Sequence, residues 1–259
     1  GGYRLYSAAD ERRIRSMQSH MARGLAAAQA AALAVAESGR DVAAPADPAE
    51  LLEALIAAAE AFDATRFDAL LDAAFSPGSV AGIRDVVLPL LGEIGVRWER
   101  AELTVGHEHF ASHLVERRLL GMAKGWEAGP GPLALLACAP GERHTLGLVC
   151  FGLVLSDRGW RIAYLGADTP VDQVADMSAA LSPAAVVLCA LDPERLTAAG
   201  PAIAELGLRH HTILAGSAAN AELARQLGVH HAAGDPLSTA QALVADPPTK
   251  AASNQHDLT

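Results

Sequence analysis

Apolar positions recur every three or four residues through the first half of the chain and gather into short unbroken runs in the second, so the sequence predicts two architectures in succession. From 48 to about 125 the helical spacing falls into four blocks: PAELLEALIAAAEAF, ATRFDALLDAAF, a longer run over 78–98 and a last run over 105–124. Breaks stand at Phe62-Asp63, at Ser76-Pro77-Gly78 and between Arg100 and Thr104. Short breaks between long periodic blocks predict a four-helix bundle over 48–125.

After GWEAGPGP the period changes. Apolar runs at 133–139, 161–165, 185–191 and 212–215, with a weaker one at 229–233, predict strands, and helical stretches at 145–158, 170–181, 193–206 and 218–227 separate them. This alternation predicts a doubly wound, Rossmann-like α/β domain with a parallel sheet over 131–246, binding its ligand at the carboxyl ends of the strands. The polar segment 247–259 is expected to be a mobile tail. Upstream, 1–38 begins with a turn, GGYRLYS, and continues into a helix that Ser7 can cap, with Asp10 and Glu11 in its first turn. An Ala- and Leu-rich helix over 24–38 follows, and SGRDVAAPADP reads as a linker over 38–47. The fold class is therefore α plus α/β.

Composition narrows the picture. Hydrophobic residues make up 51% of the chain but aromatic ones only 4%, which suits close-packed helices and parallel α/β units better than a β-sandwich. Cys138, Cys150 and Cys189 lie in apolar runs without CxxC spacing, so they read as small buried hydrophobes with no disulfide. No apolar stretch reaches the roughly 18–20 residues of a membrane span, and the first residues lack the layout of a signal peptide, so a cytoplasmic location without a membrane partner is expected. A net charge of -10 argues against the whole chain lying on nucleic acid. Residues 1–24 differ: five arginines against Asp10 and Glu11 give +3, which marks a basic end with its own partner.

The candidate chemistry follows the first predicted strand. APGERHTLG puts Glu142, His144 and Gly147 on the loop that leads into the next helix. A neutral imidazole is a good transition-metal ligand, and a carboxylate two residues away can hold its other nitrogen and fix the tautomer. Gly147 would let a bulky planar ligand approach the backbone. Taken alone, E-x-H-x-x-G is also compatible with a capping loop whose histidine faces solvent. A competing arrangement is His109, His113 and Glu116 on one helix face, a spacing that zinc sites use, although no H-E-x-x-H pattern is present.

The loop resembles the D-x-H-x-x-G signature of cobalamin-binding domains that hold the cofactor with histidine on cobalt, in the variant where glutamate replaces aspartate. Upstream, Trp98 is followed after nine residues by Glu108-His109, a pattern similar to that of CarH-type photoreceptors of the MerR family. The resemblance implies adenosylcobalamin as cofactor, His144 as the axial ligand to cobalt, and a helical cap whose Trp98, Glu108 and His109 face the adenosyl side. Tyr164 to Pro170 resembles the family's Y-L-G-x-D-T-P turn, which adds Asp168 and Thr169 to the implied cofactor-binding set. Cys189 stands where the family usually has serine, and Ala215-Gly216 where it has a glycine pair, so the tunnel for the nucleotide tail is expected to be tighter or less polar. Glu99 stands where the best-matching members have a histidine, so after photolysis water or hydroxide is expected opposite His144, or else His107 or His109.

GGYRLYSAADERRIR resembles the wing and following helix of a MerR-type DNA-binding domain, which implies DNA-backbone contacts by Arg4 and Tyr6. The first two helices of such a domain, including the recognition helix, are not in this sequence, so the chain as it stands is not expected to read operator DNA with full affinity. The implied function is a non-enzymatic, light-sensing transcriptional regulator, a homo-oligomer (dimer or tetramer) whose assembly and DNA binding change on photolysis. The alternative is a corrinoid protein that carries methyl groups between methyltransferases.

Overall fold

The computed structural model describes residues 8–38, 45 and 47–248. Arg4, Tyr6, the proposed Ser7 cap, most of the expected linker and the tail from 249 lie outside the described residues. Helix α1 (Ala8–Ala22) and helix α2 (Ala27–Ser38) form a pair. Gly24 takes a φ of 91° between them, so the second helix begins three residues later than its composition predicts.

Four helical rods follow. Helix α3 (Pro48–Glu60) starts where Asp47 accepts a 3.0 Å bond from the Ala49 N–H, and α4 (Ala64–Ala74) where Asp63 accepts one from Arg66. The third rod, expected to be one uninterrupted helix, has three parts: α5 (Ser79–Gly82), a π-turn over Ile83–Val87 and α6 (Leu88–Glu99). Pro89 explains the change. It has no N–H for the Asp85 carbonyl and its ring would strike that oxygen, so the ladder widens by one residue and the Leu88 N–H reaches Ile83 O. Helix α7 (Val105–Met122) opens on a capping box made by Thr104 and His107.

The sheet is wholly parallel, with order β2-β1-β3-β4-β5: β1 (Leu133–Cys138), β2 (Arg161–Gly166), β3 (Ala185–Cys189), β4 (Thr212–Ala215) and β5 (His230–His231). The interleaved helices are α8 (Leu146–Asp157), α9 (Val171–Leu181), α10 (Pro193–Ala198), α11 (Gly200–Arg209), α12 (Ala221–Leu227) and α13 (Pro236–Ala245). The single helix expected over 193–206 is thus two, because Pro201 cannot donate to the Thr197 carbonyl and the chain restarts at Gly200. The fifth strand is shorter than expected, and α13 was not anticipated.

Side chains alternate between the two faces of the buried strands. Leu136, Cys138, Val187, Cys189 and Ile213 face α8 and α13, in one apolar cluster with Phe67, Leu71, Ile83 and Leu90 of the bundle. Leu135, Ala137, Val186, Leu188 and Leu214 face the other way, toward residues of α9, α11 and α12. Helix α8 lies between sheet and bundle, which is why Leu148 through Leu155 are all buried and its composition is apolar on every side. At roughly 1.5–3 kcal/mol for each large side chain, this central helix is a main source of cohesion between the two halves. The strand order reverses between β1 and β3, and a crevice opens beyond their carboxyl ends.

Candidate functional site

Glu142 lies behind the wall of that crevice. It is fully buried, yet both carboxylate oxygens are bonded. Oε2 accepts from the Leu191 N–H at 2.8 Å, and Oε1 accepts from the Arg143 and His144 N–H groups at 2.8 and 2.9 Å. One side chain thereby ties the loop after β1 to the loop after β3. Burial by itself would raise the carboxyl group, but the backbone donors of Leu191 and His144 and the His144 ring outweigh it and hold its pKa at about 2.

An ionised carboxylate only accepts, so the 2.6 Å contact between Oε1 and Nδ1 of His144 fixes a proton on Nδ1, and in the neutral ring the free lone pair is then on Nε2. The ring is 67% exposed and lines a cavity of about 1230 Å³ between the bundle and the ends of the strands. Pockets for drug-sized ligands run at about 300–1,000 Å³, so this one has room for a macrocycle.

The bundle wall is formed by α6 and α7, with Trp98, Glu108, His109 and Glu116 among its side chains. Trp98 is 48% exposed, an unusual setting for an indole. Glu108 pairs with Nδ1 of His109 and accepts a 2.8 Å bond from Ser112, so a second carboxylate–imidazole pair faces the same space. His107 does not line the cavity. Its Nδ1 accepts from the Thr104 N–H at 3.2 Å, and its ring packs on Phe62 with centroids 4.6 Å apart. The alternative zinc arrangement is loose: the His113 and Glu116 side chains are 3.7 Å apart, and Oε1 of Glu116 is taken by Thr145.

On the sheet side the cavity reaches Cys189 and Gly216. Burial pushes the Cys189 thiol up to about 12, so it stays a neutral, weak donor. Gly216 has a φ of 90°, and a Cβ there would lie 2.2 Å from the Ala190 carbonyl, so the meeting of β3 and β4 requires glycine. Gly147, the second residue of α8 rather than part of the loop, differs. A Cβ there would touch only Pro236, at 3.9 Å, so packing does not demand a glycine, and the missing side chain leaves space on the cavity wall. A fixed imidazole, a glycine cradle and a deep apolar recess fit a metal-centred macrocycle with an appended tail.

Asp168 and Thr169 stand behind the loop and do not line the cavity. Asp168 accepts from the Gly141 N–H at 2.6 Å and gives its own N–H to the Glu142 carbonyl at 2.7 Å, while the Thr169 N–H bonds Cys138 O. Asp168 thus buttresses Glu142, while Thr169 ties the turn to the end of β1. Three further residues at the site, Thr145, Glu116 and Arg195, escaped sequence reading as members of it because their partners are remote in the chain. Within the described residues, no three or more His, Cys, Asp or Glu side chains are grouped to hold a metal ion, and no helix is long and apolar enough to cross a membrane.

Comparison with known proteins bears on the fold and on the domain type. A family model described as a B12 binding domain matches residues 51–120, the helical bundle. The HTH-type transcriptional repressor CarH of Myxococcus xanthus is 32% identical over 195 residues, covering 70% of this chain and 64% of the repressor. The repressor CarA of the same organism is 47% identical over 85 residues, 32% of this chain and 28% of CarA. The chain thus spans somewhat under two thirds of the length of the first relative and less of the second. The monomethylamine corrinoid protein of Methanosarcina barkeri has a similar fold, with a TM-score of 0.63 over 76% of this chain and 98% of that one, at 18% identity. Relatives, matched domain and fold point the same way: the bundle matches a B12 binding domain, and the chain is similar to CarH-type repressors.

Proposed function

We propose that the chain binds adenosylcobalamin with Nε2 of His144 on cobalt, and that it forms the light-sensing and assembly part of a DNA-binding regulator rather than an enzyme. The observation that carries this reading is the buried, ionised Glu142 holding Nδ1 of an imidazole whose other nitrogen faces a macrocycle-sized cavity. The cofactor supplies a light-sensitive bond between cobalt and the adenosyl group. The chain's own residues hold and enclose it: Trp98, Glu108 and His109 on the bundle side, Gly147 beside the His144 loop, and Cys189 and Gly216 toward the tail, with Asp168 acting through Glu142 and Thr169 through the end of β1. Similarity to two repressors supports a role in transcription, with Arg4 and Tyr6 on operator DNA and a dimer or tetramer as the assembled form.

The fold likeness to a corrinoid protein favours a second reading, a carrier of methyl groups. One experiment separates the two. Protein purified in the dark and reconstituted with adenosylcobalamin should change its absorption spectrum and oligomeric state under green light, and His144→Ala should abolish the histidine-ligated spectrum. Trp98→Ala should keep cobalamin but lose selection for the adenosyl over the methyl form, because it removes an apolar face and no metal ligand. Retention of methylcobalamin with no response to light would support the carrier, and a wild-type cobalt spectrum in His144→Ala would end the assignment of the ligand.

A further inference from the structure

Arg195 on α10 brings its guanidinium Nη1 to 2.9 Å from Oε1 of Glu142. That nitrogen is buried and makes no hydrogen bond. The acceptor is crowded: Oε1 already takes the Arg143 and His144 N–H groups and Nδ1 of His144. Arg195 therefore meets Glu142 as a charge at contact distance, not as a donor. Its position is fixed from two sides. Nε lies 3.4 Å from the Asp192 carboxylate, and the side chain passes Gly141 where a Cβ would come within 3.9 Å of it. A buried guanidinium nitrogen without a bond is costly, and its place calls for an electrostatic reason.

We propose that Arg195 is a positioning residue for the His144 ligand, its positive charge limiting how strongly Glu142 draws the Nδ1 proton and so how strongly Nε2 donates to a metal. A carboxylate behind a ligating imidazole raises its donor strength, and a cation at contact distance from that carboxylate opposes the effect. This role rests on the reading of His144 as the cobalt ligand, but the three-residue chain His144–Glu142–Arg195 exists without any metal.

Two readouts test it on the full chain: the proton resonance of His144 Nδ1–H in the metal-free, 15N-labelled protein, assigned by its loss in His144→Ala, and the visible spectrum after addition of aquacobalamin. Arg195→Met and Arg195→Gln remove the charge, and Arg195→Lys retains one. The expected result is a downfield move of the resonance in both neutral variants and a position near wild type in Arg195→Lys. The cobalamin bands should shift in the same order, and cofactor retention should change within the about 10–100-fold range of residues behind a metal ligand. An unmoved resonance in the folded neutral variants would overturn the proposal. So would the unfolding of both, because the charge would then serve the fold alone. If wild type takes up aquacobalamin without ligation by His144, the cofactor reading fails while the metal-free resonance still decides the role of Arg195.

Discussion

The hydroxyl of Thr145 donates a 2.7 Å hydrogen bond to Oε1 of Glu116, so the residue next to His144 is tied to the middle of α7. Thr145 holds the N-cap position of α8 but does not cap the helix with its side chain. Its bond crosses instead to the bundle and links the His144 loop to the wall that carries Glu108 and His109.

Thr145→Val should break that link and keep the shape of the side chain. A hydrogen bond to a charged group contributes about 1.5–3 kcal/mol, so stability in urea should fall by an amount in that range. Glu116→Gln keeps an oxygen acceptor and should cost less. A loss in Thr145→Val no larger than in a Thr→Val change at an exposed site would show that the bond does not hold the two halves together.

Glu142→Gln should damage the protein more than the removal of one charge suggests. Both oxygens accept backbone N–H bonds, so the amide nitrogen of glutamine must face a donor, leaving a buried group unpaired at a cost of about 1–3 kcal/mol. The same carboxylate gives the metal-free protein an acid dependence. Its folded pKa of about 2 lies below its unfolded value, so its contribution is complete above the ordinary carboxylate range and is lost as pH falls from there toward 2. Stability measured against pH should slope downward over that interval in wild type and less steeply in Glu142→Gln.

Gly147→Ala should act in opposite directions on the empty and the loaded protein. Alanine is favoured over glycine in a helix by up to about 1 kcal/mol, and the new methyl group meets only Pro236, so the metal-free variant should melt at a higher temperature. The methyl group also narrows the cavity wall, so affinity for cobalamin should drop. A destabilised metal-free variant, or unchanged affinity, would remove Gly147 from the cradle.

The two upper-side histidines should separate cleanly. His107 is occupied by Thr104 and Phe62, so His107→Ala should leave the spectrum of the illuminated adenosylcobalamin complex as it is and cost helix stability only. His109 faces the cavity with Nδ1 held by Glu108, so His109→Ala should alter that spectrum. The reverse pattern would move the upper imidazole to the end of the bundle.

What the sequence made legible is what its period encodes. The helical blocks and the β–α alternation appear as burial patterns, and Glu142 and His144 are two residues apart, so their contact follows from local geometry. The π-turn was less visible because Pro89 sits in an apolar run whose period it barely disturbs. The fold-dependent contacts were not visible: Leu191 reaches Glu142 across 49 residues and Thr145 reaches Glu116 across 29. Such pairs are brought together by the sheet order and the seating of α8, and no local spacing announces them. For the same reason the Y-L-G-x-D-T-P turn identified Asp168 and Thr169 as important without revealing that they act from behind the loop.

The apolar cluster that runs from Phe67 and Ile83 to Val187 and Ile213 borders a gap of about 1230 Å³. Any molecule that fills this gap in the folded chain, and not in the unfolded one, becomes part of the core. Its occupancy is then linked to melting: at a free concentration 100 times its Kd, such a ligand adds about 2.7 kcal/mol to the unfolding free energy. A chain of this design reports the loss of its ligand as a softening of the wall that faced it, and amide hydrogens of α6 and α7 should exchange with solvent faster once the gap is empty.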